Sequence, residues 1–139
     1  MIGLDTNVLA RYYVDDAGDA EAKRQRLAAR RLIESGQALM VGKTVVLELE
    51  WVLRGYYRFS QPEVATVLRH LLAQPHVTVE DRGAVEQALS NSDAGIDFAD
   101  ALHHASYKAC ASVATFDDRK FARRARKLGM TPAVTVPSP

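Results

Sequence analysis

The chain has 139 residues, 47% of them hydrophobic and 25% charged, with a formal net charge of +1 and a single cysteine, Cys110. That length fits one domain spanning 1–139, large enough to bury a core without disulfides or a structural metal, and one cysteine excludes an internal disulfide framework. No apolar run approaches the roughly 20 residues of a membrane span, and the opening MIGLDTNVLARYY lacks the basic start of a signal peptide, so a cytoplasmic protein is expected.

Ile2 to Leu4 is a short apolar run that stops at Asp5-Thr6-Asn7, residues whose side chains suit a helix start; Val8 to Tyr13 continues as a short helix. Ala20 to Glu34 forms a second helix, closed by Ser35-Gly36. Ala38 to Val41 reads as a strand, and Thr44 to Tyr56 as a markedly apolar helix. Ser60-Gln61-Pro62-Glu63 is a capping box with proline just inside the helix, which runs to about Ala73. Val77 and Val79 make a short strand, followed by a helix from about Gly83 to Ser90. Asp97 to Ala109 is a further helix with the apolar stripe Phe98, Leu102, Ala105 and Ala109. Ser112 to Thr115 is a strand, Asp118 to Leu128 a helix ended by Gly129, and Ala133 to Val136 a last strand. Short apolar strands alternating with helices imply a three-layer α/β/α sandwich around a central parallel sheet of four or five short strands.

Two of these strands end in an acid: Asp5 follows Ile2–Leu4, and Asp117 follows Ser112–Thr115 in ATFDDRKF. In open α/β sheets, ligands bind beyond the carboxyl ends of the strands. Each acid also has a structural explanation, Asp5 as a helix cap and Asp117 or Asp118 as the cap of the last helix. On the Asp97 helix, Asp97, Asp100 and His104 are spaced by three and four and share one face, opposite the apolar stripe. Asp97 has a use as a cap or first-turn acid. Asp100 has less reason to be there, because aspartate is a poor helix former and repels an acid one turn away.

Glu48 is the fourth candidate. In TVVLELEWVLRGYY, Glu50 pairs with Arg54 at i, i+4 and so reads as a surface residue, whereas Glu48 has no such partner. An acid on an apolar helix is costly to bury unless it is paired or serves a metal, and an edge position reaching water is the other explanation. Hard oxygen donors without a His/Cys cluster suit Mg²⁺, with Mn²⁺ as a substitute, rather than Zn²⁺. Such ions activate water for phosphodiester cleavage. No glycine-rich phosphate loop, CxxC, HExxH or GxSxG offers a rival chemistry. Two basic runs, Lys23 to Arg31 and Arg119 to Lys127, read as solvated helix faces or as a nucleic-acid footprint.

MIGLDTNVLARYY, VVLELEWVL, DFADALHHA and ATFDDRKFAR resemble, in order and spacing, the motifs of the PIN-domain family, nearest to the VapC-type toxin ribonucleases of type II toxin–antitoxin pairs. The resemblance runs from Ile2 to about Leu128. It implies a parallel-sheet α/β/α sandwich and a Mg²⁺- or Mn²⁺-dependent endoribonuclease. Its catalytic acids would be Asp5, Glu48, Asp100 and Asp117, with Asp5, Asp100 and Asp117 holding metal. It further implies Asp97 as an accessory acid, and Thr6, Asn7 and Thr115 as residues orienting the carboxylates. The partners it implies are an RNA substrate, a cognate antitoxin protein and a second copy in a homodimer. Thr44 stands where many relatives carry serine, a hydroxyl in either case. Two other readings remain at this level. One is a PIN-like module that grips RNA or protein without cutting. The other is an aspartate-based phosphohydrolase, which fits the early acid but leaves Glu48 unexplained.

Overall fold

The computed structural model describes residues 1–139, which form two compact units, Met1–Arg82 and Gly83–Pro139. No helix is long and apolar enough to cross a membrane.

In the first unit, β1 (Ile2–Gly3), β2 (Leu39–Val41) and β3 (Val77–Val79) form a parallel sheet in the order β1-β2-β3. Ile2 stands beside Leu39, and Leu39 beside Val77, so the three strands are in register at one end. Parallel strands need helical crossovers, and the chain supplies α1 (Thr6–Tyr13), α2 (Ala20–Ile33), α3 (Lys43–Trp51) and α4 (Gln61–Ala73) between them. The sheet residues Leu39 and Val41 are fully buried, as are Val46 and Leu49 of α3 and Leu68 and Leu71 of α4. Both α3 and α4 thus present residues spaced by three or four to the core.

The capping box at the start of α4 forms as its sequence predicts: Ser60 Oγ accepts from the Glu63 amide, and Glu63 Oε1 accepts from the Ser60 amide. The helix read from Thr44 to Tyr56 begins at Lys43 instead, with Gly42 as its cap. Its exposed first amide is met from outside, by Glu80 Oε1 at 2.8 Å from Lys43 N. From Val52 to Tyr56 it widens into a π-helical turn, marked by the Tyr57 amide donating to the Val52 carbonyl. Glu50 does pair with Arg54, Nε to Oε2 at 2.8 Å, but it is not the surface residue the pairing suggested. It is 4% exposed, because the side of α3 it occupies with Val46 and Leu53 faces the core.

In the second unit, α5 (Arg82–Asp93), α6 (Phe98–Ser106), β4 (Ser112–Ala114), a π-helical turn (Asp118–Ala122), α7 (Arg123–Leu128) and β5 (Ala133–Thr135) follow in order. β4 and β5 pair in parallel, Val113 beside Val134. α5 runs past Ser90 to Asp93, and the chain turns at Gly95, whose φ of +107° only glycine adopts freely. α6 ends three residues earlier than its apolar spacing suggested. The Tyr107 amide donates to the His104 carbonyl and the Cys110 amide to the Tyr107 carbonyl, a turn that feeds β4 and leaves Ala109 exposed. Phe98, Leu102 and Ala105 are buried as their spacing predicts.

Candidate active site

Each candidate acid has a definite place in its own unit. Asp5 lies immediately after the last β1 pairing, in which the Leu4 amide donates to the Met40 carbonyl. It caps α1: Oδ1 accepts from the Thr6 amide at 2.8 Å, and the carboxylate is exposed beyond the carboxyl end of the strand. The cap engages Oδ1, so the capping role of Asp5 leaves its other oxygen free for a ligand. Thr6 is 5% exposed and its Oγ1 is buried without a partner, so its backbone amide, not its hydroxyl, meets Asp5. Asn7 lines a separate cavity of about 310 Å³ with Arg11, Gln25 and Leu32. Glu48 is exposed on α3, next to the buried Leu49.

The second unit brings three acids together. Asp97 caps α6, its Oδ1 accepting from the Asp100 amide at 3.2 Å. Asp117 caps the turn that leads into α7, its Oδ1 accepting from the Lys120 amide at 2.9 Å, while its own amide donates to Thr115 Oγ1 at 3.1 Å. Thr115 thus fixes the loop that carries Asp117. Asp97, Asp100 and Asp117 line one pocket of about 240 Å³ with Lys120, Phe121 and Arg124.

The electrostatics of that pocket fall on Asp100. Partial burial, and then the neighbouring carboxylates of Asp97 and Asp117, hold its carboxyl above the usual aspartate range; His103 pulls the other way. Asp100 is therefore a carboxylate facing two like charges, a state that a bound cation relieves. The three remain a loose set: no group of three or more His, Cys, Asp or Glu side chains is drawn tightly enough to hold a metal ion. Their chemistry nonetheless fits a hard cation. Every donor is an oxygen, and the one buried imidazole nearby is already engaged.

That imidazole is His104, which the sequence spacing placed on the acid face. It is 3% exposed, its Nε2–H donates to the Pro132 carbonyl at 2.8 Å, and its ring meets Phe121 edge-on. The helical angle of residue 104 lies between those of Asp100 and Ala101, and the hydrogen bond to the Pro132 carbonyl holds the ring inward. His103 is the imidazole that bears on Asp100. Lys120 and Arg124 were not separable in the sequence from the rest of the basic run; only the fold shows which of its cations line the acid pocket.

The PIN domain family model matches residues 2–127. The chain belongs to the PIN domain family. The match crosses both compact units and covers all four acids singled out in the sequence. No individual curated protein matches the chain significantly. PIN domains are generally nucleases and typically bind a divalent metal. Parallel strands alternating with helices, in a PIN domain, are compatible with a three-layer α/β/α fold.

Proposed function

We propose that this PIN domain, acting as a single functional domain over 1–139, is a Mg²⁺-dependent endoribonuclease and the toxin of a type II toxin–antitoxin pair. The observation that carries the reading is the acid pocket around Asp100, whose carboxyl is raised by partial burial and then by two acidic neighbours, in a protein of a nuclease family. Asp5, Asp100 and Asp117 would hold Mg²⁺, or Mn²⁺ in its place. When bound, the ion supplies charge neutralisation at the phosphoryl group and lowers the pKa of the attacking water. Glu48 would position the attacking water or act as general base. Asp97 orients Asp100 through its backbone amide, and Thr115 orients Asp117. Lys120 and Arg124, at the rim of the acids, bind the substrate phosphates that the carboxylates alone would repel.

On this reading the protein works in the cytoplasm, its substrate is RNA, a cognate antitoxin silences it by occupying the acidic groove, and it acts as a homodimer. A defined RNA incubated with the protein and Mg²⁺ is cut; the same mixture with EDTA, or with Asp5→Asn or Asp100→Asn, leaves the RNA whole. Equal cutting by the variants assigns the activity to a contaminant and overturns the reading. RNA bound but uncut by the wild-type protein makes it a binding module instead.

A further inference from the structure

Phe116 is the most exposed large apolar side chain of the chain interior, at 84%. It stands one residue before Asp117, between the end of β4 and the turn that carries the acids. The backbone beneath it is not loose. The Thr115 amide donates to the Thr135 carbonyl, the Asp118 amide donates to the Phe116 carbonyl at 3.0 Å, and Thr115 Oγ1 takes the Asp117 amide. A ring held out by a tied loop has little conformational freedom to lose on meeting a ligand. Keeping an aromatic ring in water is nonetheless unfavourable, and packing inward would recover that cost. Even so, the ring stays in water above this hydrogen-bonded loop.

The charge around the ring says what it meets. Arg119, Lys120, Arg123, Arg124, Arg126 and Lys127 are all exposed on the turn and helix that start beside Phe116, and none of the six is held in an ion pair. Exposed cations that follow an exposed ring match a single-stranded polynucleotide: phosphates lie along the cations and an unpaired base stacks on the ring. A duplex offers no free base face, and an apolar protein surface has no use for six cations without an acidic partner, of which Arg124 alone is tied, to the Gly95 carbonyl.

We infer that Phe116 is a stacking platform for one unpaired base of the RNA, next to the phosphate handled by Asp117 and Asp100. The inference rests on the ribonuclease reading and narrows the substrate to single-stranded RNA, in a loop, bulge or end. The base is held by its face, so the contact fixes the register of the strand against the acids without strict choice of base.

The test measures binding in the Asp100→Asn protein, where no cutting interferes, and KM in the otherwise wild-type protein. Phe116→Ala weakens single-strand binding and raises KM by about 5- to 100-fold, as base–aromatic stacking energies predict, with a smaller change in kcat. Phe116→Tyr retains affinity, and Phe116→Leu, apolar but without a π-face, does not restore it. An RNA carrying an abasic nucleotide, moved along the strand, loses affinity at one position beside the cut site; that loss and the Phe116→Ala loss do not add. Wild-type cutting with Phe116→Ala unchanged in KM sinks this inference and leaves the nuclease reading standing. Full rescue by Phe116→Leu, or a Phe116→Ala defect confined to binding a protein partner, also overturns it. Binding with the abasic signature but no cutting upholds the platform and overturns the nuclease. Absence of RNA binding by any form overturns both.

Discussion

Replacing Asp100 with asparagine should change the order of stabilities with and without Mg²⁺, and the expected sizes follow from its neighbours. Asp100 feels Asp97 one turn back and Asp117 across the pocket. A like-charge pair one turn apart on a helix costs roughly 0.2–0.5 kcal/mol, and Asp117 adds to it. Partial burial adds to that cost, while the acid's place in the first turn of α6 returns about 0.3 kcal/mol through the helix dipole. The raised carboxyl says the unfavourable terms win. Asp100→Asn, which keeps the backbone amide bound to Asp97, should therefore gain about 0.5 kcal/mol in metal-free buffer, roughly 1–2 °C in Tm. Mg²⁺ at a hundred times its Kd stabilises a folded protein by about 2.7 kcal/mol, a rise of roughly 5–10 °C that the wild type should show and the variant should not. The two melting curves cross: the variant melts higher in EDTA and lower in saturating Mg²⁺.

The pH dependence has a fixed sign. Because the folded-state carboxyl is raised, the native protein binds the proton more readily than the unfolded chain does. In EDTA, this site costs nothing below the ordinary aspartate range, and its cost develops fully as pH rises through the shifted value. The advantage of Asp100→Asn should accordingly vanish in acid, and the Mg²⁺-induced gain of the wild type should grow with pH over the same window. Thermal melts monitored by circular dichroism between pH 3 and 8 read both. A variant less stable than wild type in EDTA at pH 8, or an equal Mg²⁺ shift in both proteins, refutes the account of the pocket.

Arg54→Met leaves the Glu50 carboxylate, whose side chain is 5% exposed, without its guanidinium. Arg54 itself is half exposed, so water softens the loss to about 1–3 kcal/mol. Denaturant melts should show it, and Glu50→Gln in the same chain should recover much of it; no loss would mean that water already solvates Glu50. Lys120→Ala and Arg124→Ala should weaken RNA binding across sequences alike. Each should lower the slope of log affinity against log salt by about 0.7, the single-strand value per phosphate contact. An unchanged slope would take both cations out of the RNA path.

The sequence was informative wherever one side chain has one physical job. Ser60 and Glu63 define the start of α4 because each can satisfy only the other's amide, and Phe98, Leu102 and Ala105 mark the buried face of α6. The acids were legible by type and place, after strands and on one helix turn. The spacing rule failed at His104, whose helical angle lies between those of Asp100 and the buried Ala101. His103 and His104 are adjacent in sequence, and what separated them was a carbonyl at Pro132, 28 residues away, in need of a donor. Glu50 was misread for a similar reason: pairing with Arg54 was visible at i, i+4, but which side of α3 met the core depended on packing that the sequence does not state. The widening at Val52–Tyr56 carried no local mark except Gly55.

The net charge of +1 conceals how the charges are arranged. A pocket of three carboxylates repels a polyanion, and a chain with acids and bases evenly mixed would neither attract RNA nor concentrate a cation. Here Asp117 and Lys120 are fastened to the same turn by one hydrogen bond, Asp117 Oδ1 to the Lys120 amide, and Arg124 lies one turn further along. The element that carries an acid into the pocket therefore also carries the cations that line its rim. Acid and cations are thereby placed side by side along one stretch of chain, with no ion pair between Asp117 and either cation. On the proposed reading, a bound cation would remove the repulsive half of this arrangement and leave the attractive half, so metal and substrate should favour each other's binding through charge alone.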